Sequence, residues 1–164
     1  MICLIWCEDK RHGIAKAGII PWDVPSDRAI FKKVTTGKIV VMGRKTWESL
    51  PKKPLPNRIN YILTKDDKFN VDLPNTYVIH NIDPILELSR NNNDVYVIGG
   101  KQVYELFFKY ANGLIITKLD EDFDCDTILE YDLGKFEQTK SMTIHDKKGT
   151  DYVLEAWNRK PLWK

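Results

Sequence analysis

The sequence has no Gly-x-Gly-x-x-Gly and no Walker-type lysine loop, which argues against an ordinary Rossmann dehydrogenase or a P-loop kinase. Metal-ligand spacing is also missing, and His12, His80 and His145 form no constellation, so neither a metal centre nor a catalytic histidine is expected. Cysteine is scarce. Cys3, Cys7 and Cys125 cannot all pair within the chain, and the first two lie in an apolar run, as reduced core thiols of a cytoplasmic protein do. A formal net charge of only +2, with the basic residues dispersed, leaves no footprint for nucleic acid. The apolar start from Ile2 to Cys7 is too short for an export signal and runs into Glu8-Asp9-Lys10-Arg11, so no membrane segment is expected. There is no internal repeat, and Asn91-Asn92-Asn93-Asp94 is a polar turn rather than a linker. Residues 1–164 are therefore expected to form one domain.

What is present is an ordinary globular composition, 43% hydrophobic and 29% charged over 164 residues. Such a chain buries roughly two-thirds of its unfolded surface without a partner. Apolar, β-rich runs at Ile2 to Cys7, Ile39 to Met42, Asn60 to Leu63, Tyr77 to Ile79, Val95 to Ile98 and Leu114 to Thr117 predict strands. Several are apolar almost throughout, as parallel strands covered on both faces are. Helices are predicted at Ser26 to Thr35, Lys45 to Leu50, Pro84 to Arg90 (with Asp83 as its capping residue) and Gln102 to Tyr110. Phe136 to Asp146 and Tyr152 to Arg159 predict a closing antiparallel hairpin across Lys147-Lys148-Gly149-Thr150. The expected architecture is α/β, a mixed and mainly parallel twisted sheet of about eight strands with flanking helices and a C-terminal hairpin.

Asp27 carries the first chemical signal. With Ile30, Phe31 and Val34 it stands at i, i+3, i+4 and i+7, which places an acid on the apolar face of its helix. A carboxylate there can accept two parallel N–H bonds from an amidine-like edge while a ring stacks on the phenylalanine. The plainer reading is a first-turn acid that favours the positive end of the helix.

Two further places have strand, glycine and helix start in succession, where a ligand can approach backbone closely. One is Ile98-Gly99-Gly100-Lys101-Gln102-Val103-Tyr104, with the expected helix face at Val103, Leu106, Phe107 and Tyr110. The other is Met42-Gly43-Arg44-Lys45-Thr46-Trp47, which adds two cations and a hydroxyl suited to a phosphate dianion. Lys65, just after Thr64, joins them if the two strands are neighbours. Read alone, the Arg44-Lys45 pair is as well explained by a solvated surface.

Taken together, Pro21-Trp22 with Pro25 and Asp27, Val41-Met42-Gly43-Arg44-Lys45-Thr46-Trp47-Glu48-Ser49, Pro54-Leu55-Pro56-Asn57-Arg58, Ile98-Gly99-Gly100 and Ile116-Thr117 closely resemble the dihydrofolate reductase family. The resemblance runs in order from Met1 to about Thr127. It implies NADPH-dependent reduction of 7,8-dihydrofolate to tetrahydrofolate, in service of one-carbon metabolism and thymidylate synthesis, by a cytoplasmic monomer that also binds antifolates. Asp27 would bind the pterin amidine edge, with Thr117 hydrogen-bonded behind it and the carbonyls of Ile5 and Ile98 lining the pocket. Phe31, Leu50 and Leu55 would wall the rings, and Arg58 would grip the glutamate α-carboxylate, a bidentate task. Thr46, Gly99, Gly100, Gln102 and Val103 would hold the cofactor's phosphates and adjoining sugar, flanked by Gly43, Lys101 and Tyr104. Arg44, Lys45 and Lys65, beside Thr64, would receive the 2′-phosphate that distinguishes NADPH from NADH. Cys7, Ile14 and the segment Ala15 to Ile20, including Ile19, would close over the nicotinamide. Asp27, Trp22 and Ile20 are the residues expected at the reacting end, with Asp27 orienting the pterin rather than delivering the proton to N5.

The sequence departs from the family's pattern at four places. Ala15 stands where a loop glycine is usual, which predicts a stiffer loop. Arg28 stands where an apolar residue meets the aminobenzoyl ring; it is either a surface cation or a stem on the ligand with its guanidinium at the glutamate tail. Trp6 replaces a small residue, with core filling as its default role, and Gln102 replaces an arginine. The rivals are another pterin or pyrimidine reductase of the same fold, which Asp27 with Arg58 disfavours, and a non-catalytic RNA or nucleotide module built on Arg44-Lys45 and Lys52-Lys53, which the small net charge disfavours.

Overall fold

Strand β1 (Ile2–Glu8) is buried along nearly its whole length, as its apolar run predicts. It lies inside an eight-stranded sheet in the computed structural model, which describes residues 1–162. The last two residues of the expected 1–164 domain lie outside the described residues. The chain continues through β2 (Gly13–Ala15), α1 (Pro25–Thr35), β3 (Ile39–Gly43), α2 (Arg44–Ser49), β4 (Ile59–Leu63), β5 (Thr76–Ile79), α3 (Asp83–Arg90) and β6 (Val95–Val97). It ends with α4 (Lys101–Phe107), a 3-10 turn at Phe108–Tyr110, β7 (Gly113–Leu119), β8 (Thr127–Ile128), β9 (Phe136–His145) and β10 (Asp151–Arg159). Strand order is β5-β4-β3-β6-β1-β7-β10-β9. Every pairing from β5 through β7 is parallel, and β10 then pairs antiparallel with both β7 and β9. This is the mixed, mainly parallel sheet with a closing hairpin that the sequence predicts. Among the described residues no helix is long and apolar enough to cross a membrane.

The two faces of β1 feed separate cores. Ile2, Leu4 and Trp6 pack with Val41, Val103, Tyr104, Phe107 and Ile116, whereas Cys3 and Ile5 pack with Val40, Met42, Trp47 and Ile62. That division is the period-two alternation of a strand covered on both sides.

Local differences from expectation have physical causes. Helix α3 begins at Asp83 rather than Pro84, so its cap position falls on Ile82, which offers no side-chain cap, and Asn81 Oδ1 just before it accepts the Asp83 N–H at 2.9 Å. In α4 the buried face is Val103, Tyr104 and Phe107, while Leu106 and Tyr110 are exposed. The helix is turned by Tyr104, whose buried hydroxyl donates to the Ile5 carbonyl at 2.8 Å. The small sheet of β2 with β8 is absent from the sequence reading, since strands of three and two residues carry no periodic signal.

Helix α1 owes its start to a distant segment. Pro25 suits the first turn, but Val24 offers no side-chain cap. Asp146, in the β9–β10 turn, supplies it by accepting the Ser26 N–H at 2.8 Å, and it also accepts the Lys148 N–H at 2.9 Å. Hydrogen bonds from the Ser26 side chain and from the Lys148 and Ser26 N–H groups hold the Asp146 pKa below the ordinary carboxylate range. A depressed folded-state pKa stabilises the fold above the unfolded value of about 3.9, and the contribution disappears as pH falls through the folded value. Asp146→Ala should therefore lower the urea midpoint at neutral pH and lose that effect at acid pH; a difference that persists in acid would contradict the cap.

Candidate active site

The parallel strands end on one edge of the sheet, and adjacency of β3 and β6 brings their two glycine turns together. The Gly43 N–H donates to the Gly99 carbonyl at 2.9 Å. A Cβ built at Gly99, whose φ is +134°, would lie 3.3 Å from Thr46 Oγ1, and one at Gly43 would lie 3.1 Å from Val103 Cγ2. Side chains at these positions would fill the cradle, so the residues present suit a phosphate lying against backbone. Thr46, Val103 and Tyr104 surround it, and Lys101 and Gln102 are exposed at its rim.

Strand β4 lies beside β3, which brings Thr64 and Lys65 next to the Gly43 turn. Arg44 is already engaged: its Nε donates to Glu48 Oε1 and its Nη1 to Asp66 Oδ2, each at 3.0 Å, and its guanidinium lies 4.3 Å from the Phe69 ring centre. Lys45 and Lys65 are exposed and form no ion pair among the described residues. They are the available cations. His80, given no role by sequence reasoning, lies at the edge of this group, where its Nδ1–H donates to the Thr64 carbonyl at 2.9 Å.

On the other side, α1 brings Asp27 against β7, and Thr117 Oγ1 donates to Asp27 Oδ1 at 2.6 Å. Among the described residues no lysine or arginine pairs with it. Partial burial raises its pKa above the ordinary aspartate value, against the lowering effect of hydrogen bonds from Thr117 and Cys7. Phe31, Leu50, Leu55 and Ile98 are half-buried and pack on the cluster of Ile5, Met42 and Trp47, so the expected ring walls share one apolar surface. Arg58 is only 7% exposed, yet it meets no carboxylate among the described residues. Its Nη1 donates to Thr35 Oγ1 at 3.0 Å and its Nε to the Pro56 carbonyl at 2.9 Å, with the Phe31 ring centre 5.9 Å away. A guanidinium held this firmly with charge to spare suits an incoming anion.

The segment between β2 and α1 lies beside the acid. Trp22 packs edge-on against Phe123, with ring centres 5.2 Å apart, while Ile19 and Ile20 are 67% and 63% exposed. Ile14 is buried. Ala15 belongs to β2, and the positive-φ residues are Ala17 and Gly18, within a turn closed by Lys16 N–H to Ile19 carbonyl at 2.8 Å and Ile19 N–H to Lys16 carbonyl at 3.0 Å. The expected stiffening at Ala15 is thus misplaced: the non-glycine residue in the left-handed region is Ala17. The Arg28 guanidinium pairs with Asp23, which also accepts Lys148 Nζ at 2.6 Å.

Trp6 does more than fill space. Its Nε1 donates to Glu8 Oε1 at 2.9 Å, Tyr131 donates to the same oxygen at 2.8 Å, and His12 Nδ1 meets Glu8 Oε2. The sequence signal for this group was available only as Trp6 and Glu8 two apart on one strand face, without the partner at Tyr131.

A backbone cradle suited to phosphate with exposed lysines on one side, and a half-buried acid over an apolar wall on the other, suit a nucleotide and a nitrogen-rich heterocycle respectively. That is the layout of a nucleotide-dependent reductase of the α/β class. The family model described as dihydrofolate reductase matches residues 1–159, and the chain belongs to that family. By that membership it is an NADPH-dependent oxidoreductase that reduces dihydrofolate to tetrahydrofolate. The dihydrofolate reductase of Lactococcus lactis is 34% identical over 150 residues, covering 90% of this chain and 89% of that protein. A protein of Mycoplasmoides gallisepticum named segregation and condensation protein A is 32% identical over 164 residues, and the chain spans 27% of its length. Among solved structures, the dihydrofolate reductase from Enterococcus faecalis complexed with NADP(H) and RAB-propyl superposes with a TM-score of 0.89 at 30% identity, covering 98% of this chain and 97% of that one.

Removing the buried Glu8 carboxylate would leave the Trp6 and Tyr131 donors without their acceptor. Glu8→Ala should cost about 3 kcal/mol in urea unfolding, and a loss below about 1 kcal/mol would show that the three groups are not coupled.

Proposed function

We propose that the cleft carries out the family's reaction with Asp27 as the anchor of the pterin. The observation that supports this most directly is Asp27 itself, a half-buried carboxylate bonded to Thr117 and facing no cation among the described residues. Such an acid gains a partner from the amidine edge of a pterin, and Phe31, Leu50 and Leu55 offer the ring its apolar wall. Arg58 takes the glutamate α-carboxylate. Arg28 would have to leave Asp23 before its guanidinium could meet the same tail.

The Gly43 and Gly99-Gly100 cradle with Thr46 holds the dinucleotide phosphates, and Lys45 and Lys65 recognise the 2′-phosphate, with Arg44 held back by Glu48 and Asp66. NADPH, when bound, supplies the hydride that goes to C6 of the pterin. Asp27 orients the ring and biases its basicity, and the exposed Ile19 and Ile20 cover the reacting end and keep water out. Residues 1–164 act as one domain, as a cytoplasmic monomer that binds dihydrofolate and antifolates and neither nucleic acid nor membrane.

Turnover followed by loss of reduced-nicotinamide absorbance tests the anchor. Asp27→Asn should lower kcat by about a hundredfold or more and remove an inflection in the pH profile that lies above the ordinary aspartate range. An unimpaired variant would refute the role. Arg58→Lys should raise KM for dihydrofolate about tenfold with little change in kcat, since one ammonium cannot replace a fork-like donor pair. Lys45→Ala combined with Lys65→Ala should reduce the preference for NADPH over NADH about tenfold; an unchanged ratio would move 2′-phosphate recognition elsewhere.

A further inference from the structure

An asparagine is out of keeping with the apolar run of β4, yet Asn60 is buried there, between β3 and β5 and on the same face of the strand as Ile62. A buried amide costs free energy unless its polar atoms find partners. Asn60 finds three, all of them backbone groups of the loop just before β4. Its Oδ1 accepts the Leu55 N–H at 3.0 Å, while its Nδ2 donates to the Leu55 carbonyl at 3.1 Å and to the Arg58 carbonyl at 3.2 Å. An N–H facing one end of the amide and two carbonyls facing the other allow it a single orientation. The carbonyls in between are also taken, that of Pro56 by Arg58 Nε at 2.9 Å and that of Asn57 by the Gly37 N–H at 2.7 Å. Four successive loop carbonyls are thus held, two of them by one side chain, and the last residue of the loop directs its Nη1 to Thr35 Oγ1.

We propose that Asn60 is a positioning residue for substrate recognition: its amide fixes the loop of residues 55–58, and through that loop it sets Arg58 for the glutamate α-carboxylate and Leu55 against the ring. This deepens the reading of Arg58 as the receptor of the glutamate and rests on it. A guanidinium binds a carboxylate through two parallel bonds only while its fork keeps one direction, and a misplacement of about 1 Å is enough to lose most of the benefit. Arg58 directs its own side chain through Thr35 and the Pro56 carbonyl, but the backbone that carries it is held by Asn60. Thr35 is the counterpart on the opposite wall: buried at the end of α1, it accepts from Arg58 and donates to the Phe31 carbonyl at 2.8 Å. Leu55 and Phe31 pack on one apolar cluster. Both ring walls and the guanidinium between them are therefore tied together, by Asn60 from the sheet and by Thr35 from the helix. An amide that served the stability of β4 alone would weaken binding of every ligand alike, whereas a positioning amide affects the part of the substrate that reaches Arg58 and Leu55.

The test compares two substrates, dihydrofolate and a dihydropterin without the aminobenzoylglutamate, in the full chain and in Asn60→Ser. The substitution should raise KM for dihydrofolate about tenfold, change kcat and KM for NADPH less than about twofold, and leave kcat/KM for the tail-less pterin within about twofold. Made on top of Arg58→Lys, it should raise KM for dihydrofolate less than about threefold, because the two residues act as one unit. Equal losses on both substrates, a full tenfold effect added to that of Arg58→Lys, or an unchanged KM in Asn60→Ser would each overturn the proposal. Hydrogen exchange in the unsubstituted chain requires no stable variant: the Leu55 N–H should exchange as slowly as the β4 amides although it lies in a loop, and the rate of an exposed loop amide would also overturn it. Arg58→Lys alone reports on the glutamate reading. A normal KM in that variant removes the reading and this proposal with it, whereas a raised KM there beside a normal one in Asn60→Ser removes the proposal alone.

Discussion

The parallel pairing of β1 with β6 on one side and β7 on the other is the constraint on which the site depends. Its register sets Cys7 against Thr117, whose hydroxyl then meets Asp27 as α1 crosses that face. The same strand turns Leu4 and Trp6 toward the core that supports α4, and Ile5 toward the core that forms the ring wall. A slip of one residue would exchange these faces, placing a tryptophan and a glutamate beneath the acid and a cysteine in the larger core. The interior is apolar on both sides of β1, so such a slip would be resisted by packing on two faces at once.

Charge is distributed with a matching economy. Most acids that are buried in the fold are spoken for by N–H or O–H groups: Glu8 by Trp6 and Tyr131, Asp146 by Ser26 and Lys148, and Asp9 by the N–H groups of Arg11, Gly13 and Phe123. In the cleft the pattern changes. Asp27 has donors but no cation, and Arg58 has acceptors but no carboxylate, among the described residues. Keeping these opposite charges apart forgoes a pairing, and it leaves each able to gain free energy from a ligand that carries an amidine at one end and a carboxylate at the other.

The sequence made the large elements legible because each is long enough to show a period: the runs at Ile2, Ile39 and Val95 became strands, and Asp27 with Phe31 and Val34 did share a helix face. Joint spacing pointed to these groupings too: Gly43 and Gly99 are far apart in the chain, as are Asp27 and Thr117, and each pair meets only through the fold of the sheet. What could not be read were contacts made by single residues from unrelated loops. Nothing near Pro25 announces that Asp146 caps the helix, and nothing near Trp6 announces Tyr131. The exposure of Leu106 was missed because a helix of two turns can rotate without changing its own pattern, and here Tyr104 fixes the rotation from β1.

The loop that bears Trp22 is held by two kinds of bond, and their physics differs. Arg28 and Lys148 meet Asp23, and Lys16 meets Asp124, all at the surface, where salt screens them and each contributes little. Backbone bonds carry more of the placement: the Ala17 N–H donates to Asp126 Oδ2 at 2.9 Å, and the Asp126 N–H to the Ala15 carbonyl at 3.1 Å. Gly13 belongs to the same seam, because a Cβ there would lie 2.4 Å from the Cys125 Cβ, so β2 can approach the β7–β8 segment only without a side chain. The loop therefore rests on close backbone contact at its base and remains free at its tip, where Ile19 and Ile20 face solvent. That arrangement suits the closing role proposed for the loop: a base fixed enough to hold Trp22 against Phe123, and a tip whose apolar side chains have more to gain from a ligand than from their own fold.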